Sequence, residues 1–366
     1  LNHIPNPRIL LTGGSGFLGT AIAKELLSED SPVKPALVRI FDIKPYNGQP
    51  DSRIETMTGD VRDKTAVGLA CRGIDLVIHA AAVVDWGTHS ENEVLSVNYG
   101  GTVNIVEACR LQGIRFLIYT SSLDAIYTGK AMRGIDESIP YPDRHPNMYC
   151  ESKCRGEKAV LEANGTATGK SKEPGDAENQ ESWEAGGRSR LLTCVLRPSD
   201  IYGEGDPFHI GSLVNMARGG FYVRLGNGSA RSQHVYVGNM AWAHILAAAR
   251  LMDGSVPGGQ VYFISDAPPS NFFHFFDRIV EASGYRIWPK NLWIPKPVAW
   301  TIGLMAEVFA LLIRPIKNYT PKFSRFAVVY TCNDFTFETT RARDELGFIP
   351  KYSHEEAFRR TVESVK

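Results

Sequence analysis

The sequence predicts an α/β fold: a doubly wound parallel sheet with a smaller C-terminal substrate-covering region. Three observations carry that expectation. Short apolar runs alternate with helix-spaced stretches through residues 1–200, as in a parallel sheet covered by helices. A glycine-rich turn, LLTGGSGFLGTAI, joins the first run to the first helical stretch. After Pro198 the alternation gives way to Gly-rich turns and longer helical segments.

RILLTGG reads as the first strand and FLGTAIAKELLSED as the helix behind it. ALVRIFD, IETMTGD and DLVIHAAA supply the second, third and fourth strands. NYGGTVNIVEACRLQ has helical apolar spacing, and RFLIYTSS is the fifth strand. A helix over NMYCESKCRGEKAV precedes the sixth strand, RLLTCVLRPSD. QVYFISD, far downstream, is the seventh, so residues 260–266 are expected to return to the core from a substrate-binding region spanning 201–366. NMAWAHILAAARLM and NFFHFFDRIVEASG read as helices of that region. Residues 164–190 are rich in Gly, Ser, Glu and Lys and poor in apolar side chains, the composition of a flexible surface insertion.

Composition narrows the function classes. Lysine plus arginine equals aspartate plus glutamate at 40 each, so no bulk field draws in nucleic acid. The six cysteines form no CxxC and show no zinc-ligand spacing, so no metal site is expected and the setting reads as intracellular and reducing. PVAWTIGLMAEVFALLIRP, residues 297–315, is nearly continuous apolar sequence interrupted by Glu307. It admits a buried or lid helix, a helix lying in one leaflet with Arg314 and Lys317 at the headgroups, or a short membrane span.

The glycine turn points to a dinucleotide. Gly13 allows the tight turn, Gly16 lets the backbone approach a pyrophosphate, and Gly19 allows helix to pack closely on strand. Strand–turn–helix context makes this a Rossmann fingerprint. Asp42, ending the second strand, is placed to accept hydrogen bonds from the adenosine ribose, which favours NAD over NADP. The alternative for Asp42 is a turn residue before Pro45. Asp60, after the third strand, is a candidate for the adenine amino group. Phe17, Leu18, Val61, Ala80, Ala81 and Pro198 complete the expected cofactor contacts, together with Tyr149 and Lys153.

Carbonyl/alcohol redox chemistry needs a proton donor and acceptor at the substrate oxygen. Tyr149 and Lys153 stand four residues apart and share one helix face. The lysine charge and that of the oxidised nicotinamide would lower a phenol pKa otherwise near ~10. Ser122, at the C-terminal end of the fifth strand, can hold the substrate oxygen beside Tyr149, and Asn98 can hold a water on the lysine side. Cys150 and Cys154 share the same helix at the same spacing. With no histidine or further cysteine at metal spacing they read as free thiols packed against the fold.

These residues carry a family resemblance. TGGSGFLG, VNYGGTVNIVEACR, FLIYTSS, YCESKCRGEKAVLEANG, LRPSDIYGEGD, VYVGNMAWAHILAA, GQVYFISDAPP and LLIRPIKNYTPKF resemble an extended short-chain dehydrogenase/reductase of the 3β-hydroxysteroid dehydrogenase/Δ5-Δ4 isomerase family. The resemblance implies NAD-dependent oxidation of the 3β-hydroxyl of a steroid or sterol by Ser122, Tyr149 and Lys153. It implies that 297–315 is a membrane-associated region, on the endoplasmic reticulum or a mitochondrial membrane in a eukaryote. A homodimer is compatible with it. For the isomerase half, the family's YYISDD-like motif reads YFISDA here and retains Tyr262 and Asp266. Those two are either a proton-moving pair or a buried strand residue and a turn aspartate. A sterol-4α-carboxylate 3-dehydrogenase (decarboxylating) is the alternative enzyme, and a non-catalytic NAD-binding scaffold the distant one.

Overall fold

The computed structural model describes residues 4–85, 89–169, 189–313 and 323–366. Most of the expected 164–190 insertion, residues 170–188, lies outside the described residues, as do Arg314 and Lys317.

Seven parallel strands form one sheet: β1 (Arg8–Thr12), β2 (Leu37–Asp42), β3 (Ile54–Thr58), β4 (Leu76–His79), β5 (Phe116–Thr120), β6 (Leu192–Pro198) and β7 (Gln260–Ile264). Their order is β7-β6-β5-β4-β1-β2-β3. The central strands are buried along their length, LVIH in β4 and FLIYT in β5, because helices cover both faces. Strand periodicity sorts the core. Ile9, Leu11, Ile40, Ile78, Ile118 and Leu196 face the helices Phe17–Leu27 and Val237–Asp253. Leu10, Phe41, Val77, Leu117 and Val195 face the opposite layer, with Ile105 of Gly101–Gln112 and Val160 of Met148–Glu162. The winding reverses between β1 and β4, which opens a crevice at the C-terminal edge of the sheet.

The C-terminal half contributes more to this core than the one strand expected from sequence. The helix Val237–Asp253 packs directly on Phe17–Leu27, and Ala342, Leu346 and Phe348 join the same apolar cluster. The remaining C-terminal elements build a separate cluster around Tyr222, Phe272, Phe276 and Ile279. A further cluster, holding Leu123, Tyr127, Cys150, Tyr330 and Phe335, joins it to the sheet edge.

The apolar stretch forms the helix Lys296–Ile313. Only Ala299, Gly303 and Ala310 of it are buried, whereas Met305, Phe309, Leu311 and Leu312 are 57–73% exposed. Small residues let one face approach the helix Arg325–Cys332: a Cβ on Gly303 would lie 2.9 Å from the Arg325 nitrogen. Glu307, the one acid in the stretch, is paired to Arg325 Nε at 2.6 Å. Among the described residues this is the one helix long and apolar enough to cross a bilayer.

Candidate active site

A cavity of about 450 Å3 follows the crevice from the glycine turn to the end of β6. Gly13 takes φ +70°, and a Cβ there would lie 2.7 Å from the Ala81 backbone. A Cβ on Gly19 would lie 2.0 Å from the Gly13 carbonyl oxygen. Both positions therefore exclude a side chain, Gly13 because of the tight turn and Gly19 because the helix start packs closely on it, as the dinucleotide fingerprint requires. The helix Phe17–Leu27 starts at Gly16 without a side-chain cap, so its first-turn amides can serve an anion. Phe17, Leu18, Val61, Ala80, Ala81 and Pro198 line the same cavity.

Asp42 closes the adenosine end. Its Oδ2 accepts from the Ser15 amide at 3.0 Å and its Oδ1 from the Lys44 amide at 2.9 Å, which fixes the carboxylate at the cavity wall. Asp60 also lines the wall. Its carboxylate is gripped by Arg62, Nη2 to Oδ2 at 2.5 Å, and that hydrogen bond holds its pKa below the usual carboxylate range. These residues fit a nicotinamide dinucleotide with its pyrophosphate on the helix start and its ribose at Asp42.

At the other end the structure brings together Ser122, Tyr149 and Lys153. Asn147 caps the helix Met148–Glu162 by accepting from the Cys150 amide at 2.8 Å, so Tyr149 falls in the first turn. Lys153 is buried, and its Nζ donates to the Thr120 carbonyl at 2.7 Å and lies over the Tyr119 ring. Burial lowers its pKa to about 8 against the opposing charges of Glu157 and Asp124. Burial, then the charge of Asp124, pushes the Tyr149 phenol well above its ordinary value, and Ser122 opposes the rise. The chain's own groups thus hold Tyr149 protonated. A bound oxidised nicotinamide would add positive charge beside the phenol and favour its ionised form.

Two expectations meet a different arrangement. Asn98 does not line the cavity. Its Oδ1 accepts from the Val83 amide at 2.7 Å, and its Nδ2 donates to the Val83 carbonyl and to Ser152 Oγ. The π-helical turn Ser96–Gly100 sets it there, so its side chain holds the Val83 backbone, which is cavity wall, rather than a water beside Lys153. Tyr262 and Asp266 are also absent from the cavity lining. Tyr262 Oη donates to Glu345 at 2.7 Å on the outer side of the sheet edge. Asp266 Oδ2 accepts from the Tyr236 amide and from Asn239 Nδ2. Their spacing is right for a pair, but each is committed to a different structural partner.

Sequence reasoning missed the substrate-side wall. Asp124, Asp200, His209, Phe326 and Tyr330 line it. Tyr330 donates to Asp200 Oδ1 at 2.5 Å, and His209 Nε2 stands 3.8 Å from the same oxygen. The carboxylates of Asp206 and Asp200 raise the His209 pKa to about 9 although burial alone would lower it. Asp200, just past Pro198 at the end of β6, was signalled by its place at the sheet's C-terminal edge; His209, Phe326 and Tyr330 carry no local signal. Beneath the wall, Arg197 and Glu157 form a buried ion pair, Nη2 to Oε1 at 2.5 Å, and Glu157 also accepts from Tyr141 and Ser121. All six cysteines are free thiols. Cys150 is fully buried with its Sγ 3.7 Å from Asp124 Oδ1, and no group of metal-ligating side chains forms among the described residues.

Fold and site together define an extended short-chain dehydrogenase/reductase. Its architecture is shared with the dTDP-glucose 4,6-dehydratase DesIV from Streptomyces venezuelae (TM-score 0.70, 19% identity, 98% of this chain and 96% of that one). It is shared too with the UDP-glucose 4-epimerase of Thermus thermophilus (TM-score 0.64, 20% identity, 98% of each). The chain belongs to the 3-beta hydroxysteroid dehydrogenase/isomerase family, whose model matches residues 10–293. It is 32% identical to mouse (Mus musculus) 3 beta-hydroxysteroid dehydrogenase type 7, over 100% of this chain and 97% of the relative. It is 33% identical to the 3 beta-hydroxysteroid dehydrogenase/Delta 5-->4-isomerase of Mycobacterium tuberculosis, strain H37Rv (96% and 88%). It is 31% identical to the 3beta-hydroxysteroid-dehydrogenase/decarboxylase isoform 1 of Arabidopsis thaliana (97% and 79%).

Proposed function

We propose that this protein oxidises the 3β-hydroxyl of a neutral steroid or sterol to the 3-ketone with NAD. The observation that carries the reading is the convergence of Tyr149, Ser122 and Lys153 on one cavity with the glycine cradle and Asp42. Tyr149 takes the hydroxyl proton, Ser122 holds the oxygen, and Lys153, anchored on the Thr120 carbonyl, holds positive charge near the phenol. NAD, when bound, supplies the acceptor for the hydride leaving C3. The Asp42 carboxylate favours a free ribose hydroxyl over a 2′-phosphate.

Relatives with isomerase and with decarboxylase names match to similar extents, so the choice between them rests on the site. On the substrate wall His209 is already flanked by the Asp200 and Asp206 carboxylates, and among the described residues no lysine or arginine stands there to pair with a 4-carboxysterol. Dehydrogenation is therefore the primary activity we propose. Isomerisation would have to proceed without Tyr262 and Asp266. The exposed face of Lys296–Ile313 supports a helix lying in one leaflet of a membrane, with its Gly303 side held against the protein.

The test is NADH formation across a panel of 3β-hydroxysteroids, with enone absorbance reporting isomerisation and CO₂ release reporting decarboxylation. No NADH with any steroid would refute the reading, and CO₂ from a 4-carboxysterol would establish the rival.

A further inference from the structure

Ser122 has a single hydroxyl proton, and the structure gives it a competing acceptor. Ser122 Oγ donates to Asp124 Oδ2 at 2.8 Å and accepts from the Asp124 amide at 3.1 Å. With Asp124 ionised, that proton is spent on the carboxylate, and Ser122 presents only a lone pair to the substrate oxygen. Negative charge develops on that oxygen as its proton passes to Tyr149, so a facing lone pair repels it where a donor is required. We propose that Asp124 works as a protonated carboxylic acid that donates to Ser122 Oγ, turning the Ser122 hydroxyl toward the substrate oxygen. Asp124 is then a positioning residue, and the inference rests on the catalytic reading of Ser122 and Tyr149 above.

The surroundings favour the neutral acid. Asp124 is 8% exposed, in the turn Leu123–Ile126. Its hydrogen-bonding neighbours are a hydroxyl and a thiol, Cys150 Sγ at 3.7 Å, rather than a cation. Lys153, the nearest positive group on the catalytic helix, donates to Thr120 instead. Tyr149 faces Asp124 from that helix, Tyr127 from its own turn, and Asp200 and Tyr330 from the substrate wall. Of the two carboxylates, Asp200 has the better claim to the charge, since Tyr330 donates to it and His209 stands beside it. Asp124 is left as the member of the pair that takes a proton. Burial first, then Asp200, brings its pKa up to about 6, with Ser122 and Lys153 opposing. A steroid filling the cavity would displace water and raise it further.

The experiment has one arm without steroid and one with it. In the first, infrared difference spectra of the NADH-bound protein are taken through about pH 5 to 8, where an ordinary aspartate is ionised. A protonated-carboxyl C=O band that persists at pH 6 and is missing from Asp124→Asn is expected. Its absence from the wild type overturns the proposal, whatever the variants do. In the second, kcat/KM for steroid oxidation is followed against pH. Asp124→Asn, whose amide donates to Ser122 at every pH, should move the alkaline midpoint up by at least about one unit, while Asp124→Glu keeps an alkaline limb near that of the wild type. Equal midpoints in wild type and Asp124→Asn overturn the proposal. Failure of the steroid reading would show as no turnover in the wild type, with the infrared arm still deciding the state of Asp124.

Discussion

Replacing Arg197 by methionine tests how the helix Met148–Glu162 is held. The guanidinium is 2% exposed and reaches the fully buried Glu157 through Nε at 3.1 and 3.2 Å and Nη2 at 2.5 Å. Methionine keeps an apolar stem of similar length, but it loses the guanidinium that lies over Phe263 and leaves Glu157 with two neutral donors, Tyr141 and Ser121. Breaking a buried pair from one side costs about 3–5 kcal/mol, and the surviving hydroxyls place this site near ~3. The double variant Arg197→Met/Glu157→Gln removes the stranded charge and should regain roughly 2 kcal/mol relative to the single. Urea unfolding of the four proteins at one fixed NAD concentration measures the cycle. Singles costing under ~1 kcal/mol each, or a double equal to their sum, would refute the reasoning. Because Glu157 lies one turn beyond Lys153, the Arg197 variant should also lower kcat.

Other substitutions probe the remaining parts. Tyr149→Phe should cut kcat by about 10²-fold or more with NADH affinity kept, read by NADH fluorescence titration. Tyr262→Phe should leave NAD reduction unchanged; a loss of more than about tenfold would return that tyrosine to the mechanism. His244 is buried between the Met240 carbonyl, to which its Nδ1 donates, and the Thr120 hydroxyl, from which its Nε2 accepts. Burial lowers its pKa to about 4, below the unfolded value near ~6.5, so the unfolded chain binds the extra proton between those values. Stability should fall as pH drops from about 6.5 to 4, and less steeply in His244→Gln, by urea midpoints at each pH. Met305→Glu/Leu312→Glu should abolish flotation with phospholipid vesicles while steroid-free NADH binding persists.

Legibility in the sequence followed how local the determinants are. Gly13, Gly16, Gly19 and Asp42 are read from a single strand–turn–helix–strand passage, and Tyr149 with Lys153 from one helix turn. All of them line the cavity as expected. The hold of the Asn98 side chain on the Val83 backbone is a tertiary contact that no local pattern shows. Tyr262 and Asp266 share a strand-like spacing, yet β7 is the sheet edge, and their partners Glu345 and Asn239 come from distant helices. The substrate wall was the least legible. Asp124, Asp200, His209 and Tyr330 come from four separate segments, and only folding brings them to one surface.

The bond between His244 and Thr120 bears on how the molecule can be divided. Thr120 holds Lys153 through its carbonyl and is itself held by a histidine from the C-terminal half. That histidine rides on Val237–Asp253, the helix packed on the one that starts at the glycine turn. An amino-terminal fragment ending near residue 200 would keep every residue of the dinucleotide motif. It would also bare the part of one sheet face that Val237–Asp253 covers and the edge of β6, and leave the anchor of Lys153 unbraced. Limited proteolysis should therefore release no nucleotide-binding piece, and two separately expressed halves should regain cofactor affinity only on mixing.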